Sequence, residues 1–397
     1  MADVDESSGA ISPRLAEVLR HDGLLLEALD DVRSQRFGPD VCDLQYGNPK
    51  EDPLPELVEA LHAATEPRGP DTFAYLASDP AARKLIAEGL EARFGMRFEP
   101  RNVCLTCGAF GALAAVFSAV VGHGDEVIVN RPSWWFYGSM IRMAGGTPVD
   151  VDVSEGSWDL DLGAIGAALS ERTRAVVVNS PNNPSGRIYP VALLEDLSQM
   201  LTDASERSGR RIYLVSDESY SRIVYDGREF RTPTSFYPDS FLVHTYLKTL
   251  LAPGLRIGYV ALPSSMRDRS EVRRAIEMVQ LAGGWLFPTV VLQYAIGAFE
   301  LLSIDVAALQ RRRDRLVEAL LAIGYRVHVP EATFYVLPEA PGGDAVAFTK
   351  VLERHGVLVV PMAGHFNRYF RISLTATDAT IERSLAGFRA AYEQVQE

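Results

Sequence analysis

A single lysine, Lys248, stands in the largely apolar segment HTYLKTLLAPGLRIGY (residues 244–259), with Arg256 eight residues further on. A lysine amine kept out of water near other cations is suited to act as a nucleophile and a carrier of protons. Other groups with chemical potential stand at comparable places. IYLVSDESY ends in Asp217 and Tyr220, VVVNSPNNPSG places Asn183 before a proline, and RYFRISL carries Arg371. VCLTCGAFGAL puts Gly108, Ala109 and Phe110 at the start of a helical pattern, and RPSWWFY adds Trp134 after EVIVN. Together they offer an amine, a carboxylate for a positive charge, guanidinium forks that match phosphate or carboxylate, and helix amides for an anion. Singly, each has an ordinary explanation: a turn cap for Asp217, a turn glycine, core tryptophans, a strand-end arginine. Their order and spacing carry the argument.

These groups need elements to position them. VVVN (176–179), IYLVSD (212–217), FLVHTY (241–246), YVALP (259–263), EVIVN (126–130) and TPVDVDV (147–153) read as strands. Helical patterns such as ALLEDLSQMLTDASE (192–206) lie between them. Near-continuous Val/Ile runs with helical crossovers predict an α/β fold, a mostly parallel sheet covered by helices on both faces. Such sheets bind ligands outside the carboxyl ends of their strands, where the polar residues cluster. After residue 287 the texture changes to a long Arg-punctuated helix, 308–324, then TFYVLP, RYFRISL and a terminal helix, which predicts a smaller α+β domain. The expected division is a large domain over 48–287 and a small one over 288–397, with segment 1–47 packing against the latter.

Composition narrows the partners. With 39 basic and 52 acidic residues the formal net charge is −13, so neither nucleic acid nor an anionic membrane is an expected partner. No apolar run reaches the roughly 18–20 residues of a membrane span. The N-terminus, MADVDESSGAISPR, lacks the basic and apolar regions of a signal peptide, and Cys42, Cys104 and Cys107 suit a reducing compartment. Cys104 and Cys107 form a CxxC without a second pair, so no metal site is expected. A cytoplasmic protein is expected.

In chain order, SPNNPSG, SDESY, the lysine with its GLRIGY tail, and RISL resemble the motifs of the fold-type I pyridoxal-phosphate enzymes, specifically the class I/II aminotransferases, from about Tyr46 to Arg371. The resemblance implies pyridoxal 5′-phosphate as cofactor and Lys248, Asp217 and Tyr220 as catalytic residues. Lys248 would form the Schiff base and, once displaced by an amino acid, move the α-proton. Asp217 falls to the pyridine nitrogen, Asn183 and Tyr220 to the ring's 3′ oxygen, and Trp134 to the ring face. The phosphate falls to the amides of Gly108, Ala109 and Phe110, the Thr245 hydroxyl and Arg256. Arg371 would grip the substrate α-carboxylate, with Asn183 and the backbone at Gly47 beside it. Tyr75 resembles the tyrosine that family members lend to the neighbouring subunit's phosphate, which implies a homodimer.

The implied reaction moves an amino group between an L-α-amino acid and a 2-oxo acid. Several departures keep a second reading open: an oxidase, deaminase, lyase or cyclase acting on arginine or a related amino acid in a specialised biosynthetic pathway. Leu247 stands where many relatives have serine, Asp79 where glycine is usual, CGAFGAL offers the phosphate no hydroxyl, and RPSWWFY is unusually aromatic. A cofactor-sensing DNA-binding regulator would need an appended basic helix-turn-helix, which the segment before Tyr46 is too short to hold.

Overall fold

The Val/Ile runs pair into one seven-stranded sheet in a computed structural model that describes residues 10–23, 26, 38 and 41–396. Its strands are β1 (Val103–Thr106), β2 (Glu126–Arg131), β3 (Thr147–Asp152), β4 (Thr173–Asn179), β5 (Tyr213–Asp217), β6 (Ser240–Thr245) and β7 (Gly258–Ala261), in the order β1-β7-β6-β5-β4-β2-β3. The pairs β3–β2, β2–β4, β4–β5 and β5–β6 are parallel. β7 runs antiparallel to both β6 and β1. Between β6 and β7 the chain forms only the four-residue helix Tyr246–Thr249 and the turn Pro253–Leu255, not the long helix that usually carries a parallel crossover.

Both faces are covered, which is why the strands read as continuous apolar runs. Val127, Val129, Val177, Val215 and Val243 pack with the helix Gly108–Val120 through residues such as Leu113 and Phe117. Ile128, Val176, Val178 and Leu214, of opposite parity, meet Leu194, Leu197 and Leu201 of the helix Val191–Ser208. Each fully buried aliphatic side chain contributes about 1.5–3 kcal/mol. A second core forms around an antiparallel sheet of Val327–His328, Tyr335–Pro338, Phe370–Ser373 and Val360–Pro361. Leu316, Leu320, Phe348 and Phe388 back it from three helices. Cys42–Asp43 pairs in parallel with Val357–Leu358, so the strand leading to Gly47 is tied to this smaller unit.

Two packing arrangements differ from the expected division. The helix Pro13–Asp22 lies against Tyr137–Met143 of the sheet domain, not against the small unit. An Asp22–Arg142 ion pair at 2.9 Å and a bond from Arg14 Nη1 to the Met143 carbonyl at 3.3 Å hold it there. The rest of the expected N-terminal helix, apart from Gly23 and Leu26, is outside the described residues. Residues 288–301 also stay with the sheet: Leu292, Ile296 and Phe299 pack among Leu57, Ile86 and Tyr246. Arg222 fixes the end of that stretch, donating to the carbonyls of Phe299, Glu300 and Leu302 at 3.1, 3.2 and 2.9 Å. Asp79, at the position where glycine is usual, caps the helix Pro80–Phe94 by accepting the amides of Ala81 and Ala82.

Candidate active site

Sheet register brings the chemical groups to one edge. Asn179 at the end of β4 faces Asp217 at the end of β5, and Thr245 and Thr106 flank Gly258 on either side. Gly258 is required by close approach, because a Cβ there would lie 2.5 Å from the His244 carbonyl oxygen and 3.0 Å from Gly108 Cα. That contact sets the start of the helix Gly108–Val120 beside β6. Past the edge, the chain turns into a four-residue helix, Tyr246–Thr249, and Lys248 on it enters a cavity of about 380 Å³.

Lys248 Nζ lies 5.7 Å from the ring centroid of Tyr220 and 5.8 Å from that of Phe334. Among the described residues no carboxylate forms an ion pair with it. Asp217 is buried at the cavity's sheet end. Its Oδ2 accepts the Tyr137 hydroxyl at 2.6 Å, and its Oδ1 accepts the Ser219 hydroxyl at 2.6 Å and amide at 3.2 Å. Burial raises the Asp217 carboxyl above its ordinary value, against the pull of Ser219, Tyr137 and the Lys248 charge. Asn179 ties the two strand ends together: its Nδ2 donates to the Asp217 carbonyl at 2.9 Å and its Oδ1 accepts the Asn183 amide at 2.8 Å.

The opposite wall comes from the smaller unit and the Tyr46–Asn48 loop. Arg371 is 4% exposed; Nη1 donates to Asn183 Oδ1 and Nη2 to the Gln45 carbonyl, both at 3.3 Å, while Nε is buried with no partner among the described residues. With Oδ1 accepting from Arg371, Asn183 has its amino group left to donate. Tyr335 stacks on the guanidinium at 4.2 Å and shares a hydrogen bond with Tyr220. Burial pushes the Tyr220 phenol up, whereas Arg371 and Lys248 outweigh burial and hold the Tyr335 phenol below its ordinary value. Gly47 is packed so tightly here that a Cβ would meet Phe334 Cε2 at 2.5 Å and the Tyr335 hydroxyl at 2.9 Å.

At the third corner the helix Gly108–Val120 starts without a side-chain cap, so its first amides keep their hydrogens free for an anion. Arg256 Nη2 reaches the Cys107 carbonyl at 3.3 Å, and its guanidinium would be 3.2 Å from a Cβ at Gly108. Thr245 donates its hydroxyl to the Ile257 carbonyl at 3.0 Å, so it faces this corner chiefly as an acceptor unless the hydroxyl rotates. Leu247 fills the position of the usual serine with a buried apolar side chain whose Cδ1 would lie 3.3 Å from a Gly108 Cβ. Trp134 borders the cavity, its ring edge-on to Phe110 at 4.9 Å and to Tyr137 at 5.4 Å. Tyr75 is apart from its own chain's cavity, 89% exposed and 5.2 Å from Phe287.

The cavity is thus lined by all the expected residues except Tyr75 and Gly108, and Gly108 lies just behind it beside Arg256. Sequence reasoning missed Asn179, Tyr137, Tyr335 and the contact of Trp135 with Arg371. Tyr137 had a weak signal, lying one helical turn after Trp134 at a strand end, and Asn179 closes the VVVN run. Nothing local marked Tyr335 or Trp135.

Residues 39–388 match the family model described as Aminotransferase class I and II. The chain belongs to that family. An aspartate/prephenate aminotransferase of Thermus thermophilus is 33% identical over 375 residues, 89% of this chain and 91% of that protein. A probable aspartate/prephenate aminotransferase of Aquifex aeolicus is 31% identical over 380 residues, covering 90% and 92%. The crystal structure of an amino transferase from Eubacterium rectale aligns over 100% of both chains with a TM-score of 0.86 at 28% identity. This class I and II aminotransferase is therefore a pyridoxal-phosphate-dependent enzyme of fold type I. Its cavity fits that cofactor: an uncapped helix start beside Arg256 suits the phosphate, a buried carboxylate that accepts two hydroxyls suits the ring nitrogen, and a lysine with no ion-pair partner among the described residues lines the same cavity.

Proposed function

We propose that the enzyme moves an amino group between an L-α-amino acid and a 2-oxo acid, with Lys248 as covalent anchor and proton carrier. The observation that carries this reading is that Lys248, Asp217 and Arg371, whose buried Nε has no partner among the described residues, line one cavity. When bound, pyridoxal phosphate supplies an electrophilic aldehyde carbon and a ring that accepts charge from the substrate Cα. Asp217 holds a proton at the ring nitrogen, and Tyr137 and Ser219 fix the carboxylate's direction. The amides of Gly108, Ala109 and Phe110 hold the phosphate with Arg256, and Thr245 joins them once its hydroxyl turns from Ile257. Trp134 covers the ring, and the Asn183 amino group and Tyr220 hold its oxygen. Arg371 takes the substrate carboxylate with Nε and the edge of its fork, beside Gly47 and Asn183. Lys248, set against ring faces and in no ion pair among the described residues, takes the Cα proton and returns it.

The active form is a homodimer on this reading. Tyr75 and Phe287 form an exposed aromatic pair, and Phe73, Met278 and Leu281 are 64%, 61% and 51% exposed, an apolar set suited to a subunit interface. Tyr75 would then serve the partner's phosphate. Three free cysteines support a reducing, cytoplasmic setting, and no helix of the described residues is long and apolar enough to cross a membrane. Borohydride treatment followed by peptide mass spectrometry tests the anchor: the cofactor mass is expected on the Lys248 peptide and absent from Lys248→Ala. Turnover is expected to require a 2-oxo acid; sustained ammonia release or oxygen uptake without one would overturn transamination.

A further inference from the structure

Arg371 is oriented by rings. Its Cζ lies 4.7 Å from the centroid of Trp135 and 4.2 Å from that of Tyr335, so the guanidinium is clamped between two aromatic side chains. Among the described residues its only hydrogen-bond partners are an amide oxygen and a carbonyl, both at 3.3 Å, and no carboxylate neutralises it.

Charge bookkeeping around the cavity then limits what the substrate can carry. Among the described residues, the cations on its wall are Lys248, Arg256 and Arg371. On the reading proposed above, the first two serve the cofactor and the third the α-carboxylate, which leaves none of the described cations for a carboxylate on the side chain. Lys50, the next basic residue along the Gly47 loop, is tied to Asp43 at 2.6 Å, and Arg312 is engaged by Asp378 at 2.6 Å and Glu51 at 2.9 Å. An unpaired carboxylate moved out of water costs several kcal/mol. The wall beside Arg371 offers instead the rings of Trp135 and Tyr46, both half-buried and both lining the cavity. Ring-on-ring packing adds attraction beyond the area it buries.

The geometry points to an amino donor with an aromatic side chain, packed against Trp135, in preference to a dicarboxylic amino acid. This inference rests on the assignment of Arg371 to the α-carboxylate. Trp135 is then a specificity residue with two contacts, stacking on Arg371 and bordering the space for the substrate's ring. The named Thermus and Aquifex relatives are aspartate/prephenate aminotransferases, so the preference parts this chain from the aspartate half of that name.

Calorimetric binding of two unreactive carboxylates to the holoenzyme tests it. The wild type is expected to bind 3-phenylpropionate at least about tenfold more tightly than succinate. Trp135→Ala should weaken both through loss of the clamp and bring the ratio close to one, and Trp135→Phe should restore the ratio. Arg371→Ala should weaken both ligands alike. Succinate binding as tightly as 3-phenylpropionate, with both still dependent on Arg371, would overturn the side-chain inference alone and reveal a cation supplied by a partner subunit. If Arg371→Ala left both ligands unaffected, the carboxylate assignment would fall and the inference with it. A preference for 3-phenylpropionate that survives Trp135→Ala would remove Trp135 from the role.

Discussion

On the sheet side of the cavity, Asp217 is fixed by two hydroxyls at 2.6 Å and stands in a strand whose neighbours on both sides are paired by register. On the opposite side, Arg371 is fixed by two ring contacts, two bonds of 3.3 Å and one donor without a partner. The first charge has nearly all its hydrogen bonds made before any ligand arrives, and the second keeps capacity in reserve. On the proposed reading, the difference matches what each wall would hold. A resident cofactor is served by a site finished in advance, whereas a substrate that enters and leaves at every turnover needs donors that are free when it arrives.

The comparison can be broken first at Asp217. Asp217→Asn keeps the shape and removes the charge, and kcat is expected to fall by about 10²–10⁴-fold, the scale for losing an acid–base group. Single-turnover kinetics on the reconstituted holoenzyme reads this, and a loss smaller than tenfold would remove Asp217 from the chemistry. Arg371→Ala strikes the other wall. KM for the amino acid should rise by about 10²-fold, as for truncating a buried charged partner, with the cofactor's dissociation constant within about twofold of wild type. Equal losses in both would show that the walls are not separate. Tyr137→Phe removes one hydroxyl from Asp217 and is expected to lower kcat by about tenfold. Because the Tyr137 bond lowers a carboxyl pKa that burial has raised, its loss moves the acid limb of the pH–rate profile to higher pH.

The smallest effect on activity is expected at Glu218, next to Asp217 but facing away from the cavity. Its Oε1 accepts hydroxyls from Ser216 and Thr232, its Oε2 has no partner, and burial raises its pKa to about 8. A carboxyl whose folded pKa lies above its unfolded value binds more protons folded than unfolded. Its contribution to stability is therefore complete below about pH 4.5 and is lost as pH rises through about 8. Glu218→Gln, a neutral mimic, should flatten the fall in melting temperature between pH 5 and 8 while leaving kcat within about twofold. An unchanged pH slope would show that Glu218 is already ionised in the fold.

Much of the sheet-side wall was legible because its residues are read from local pattern. Asp217, Asn183, Lys248 and Gly108 each follow an apolar run, and a strand that ends in a polar residue delivers it to the edge where ligands bind. Tyr137 and Asn179 were harder, since an aromatic residue or an asparagine after a strand has many ordinary uses. The other wall was legible only at Arg371 and Gly47. Tyr335 and Trp135 reach the same guanidinium from positions 200 residues apart in sequence, and no local spacing encodes that meeting. Segment 288–301 was misjudged for a related reason: its apolar residues fit either core, and the hydrogen bonds of Arg222 hold it to the sheet.

By itself the sequence determined the sheet, the second α+β unit and the family, and it singled out Lys248 as a candidate, because strand and helix periodicities and strand-end residues are properties of short windows. Only the tertiary structure decided that β7 turns back antiparallel, that the helix Pro13–Asp22 lies on the sheet domain, and that Arg371 sits between two rings with one donor to spare. Those outcomes depend on which surfaces remain apolar or unpaired after the strands and helices have formed, a quantity that exists only when the whole chain is folded.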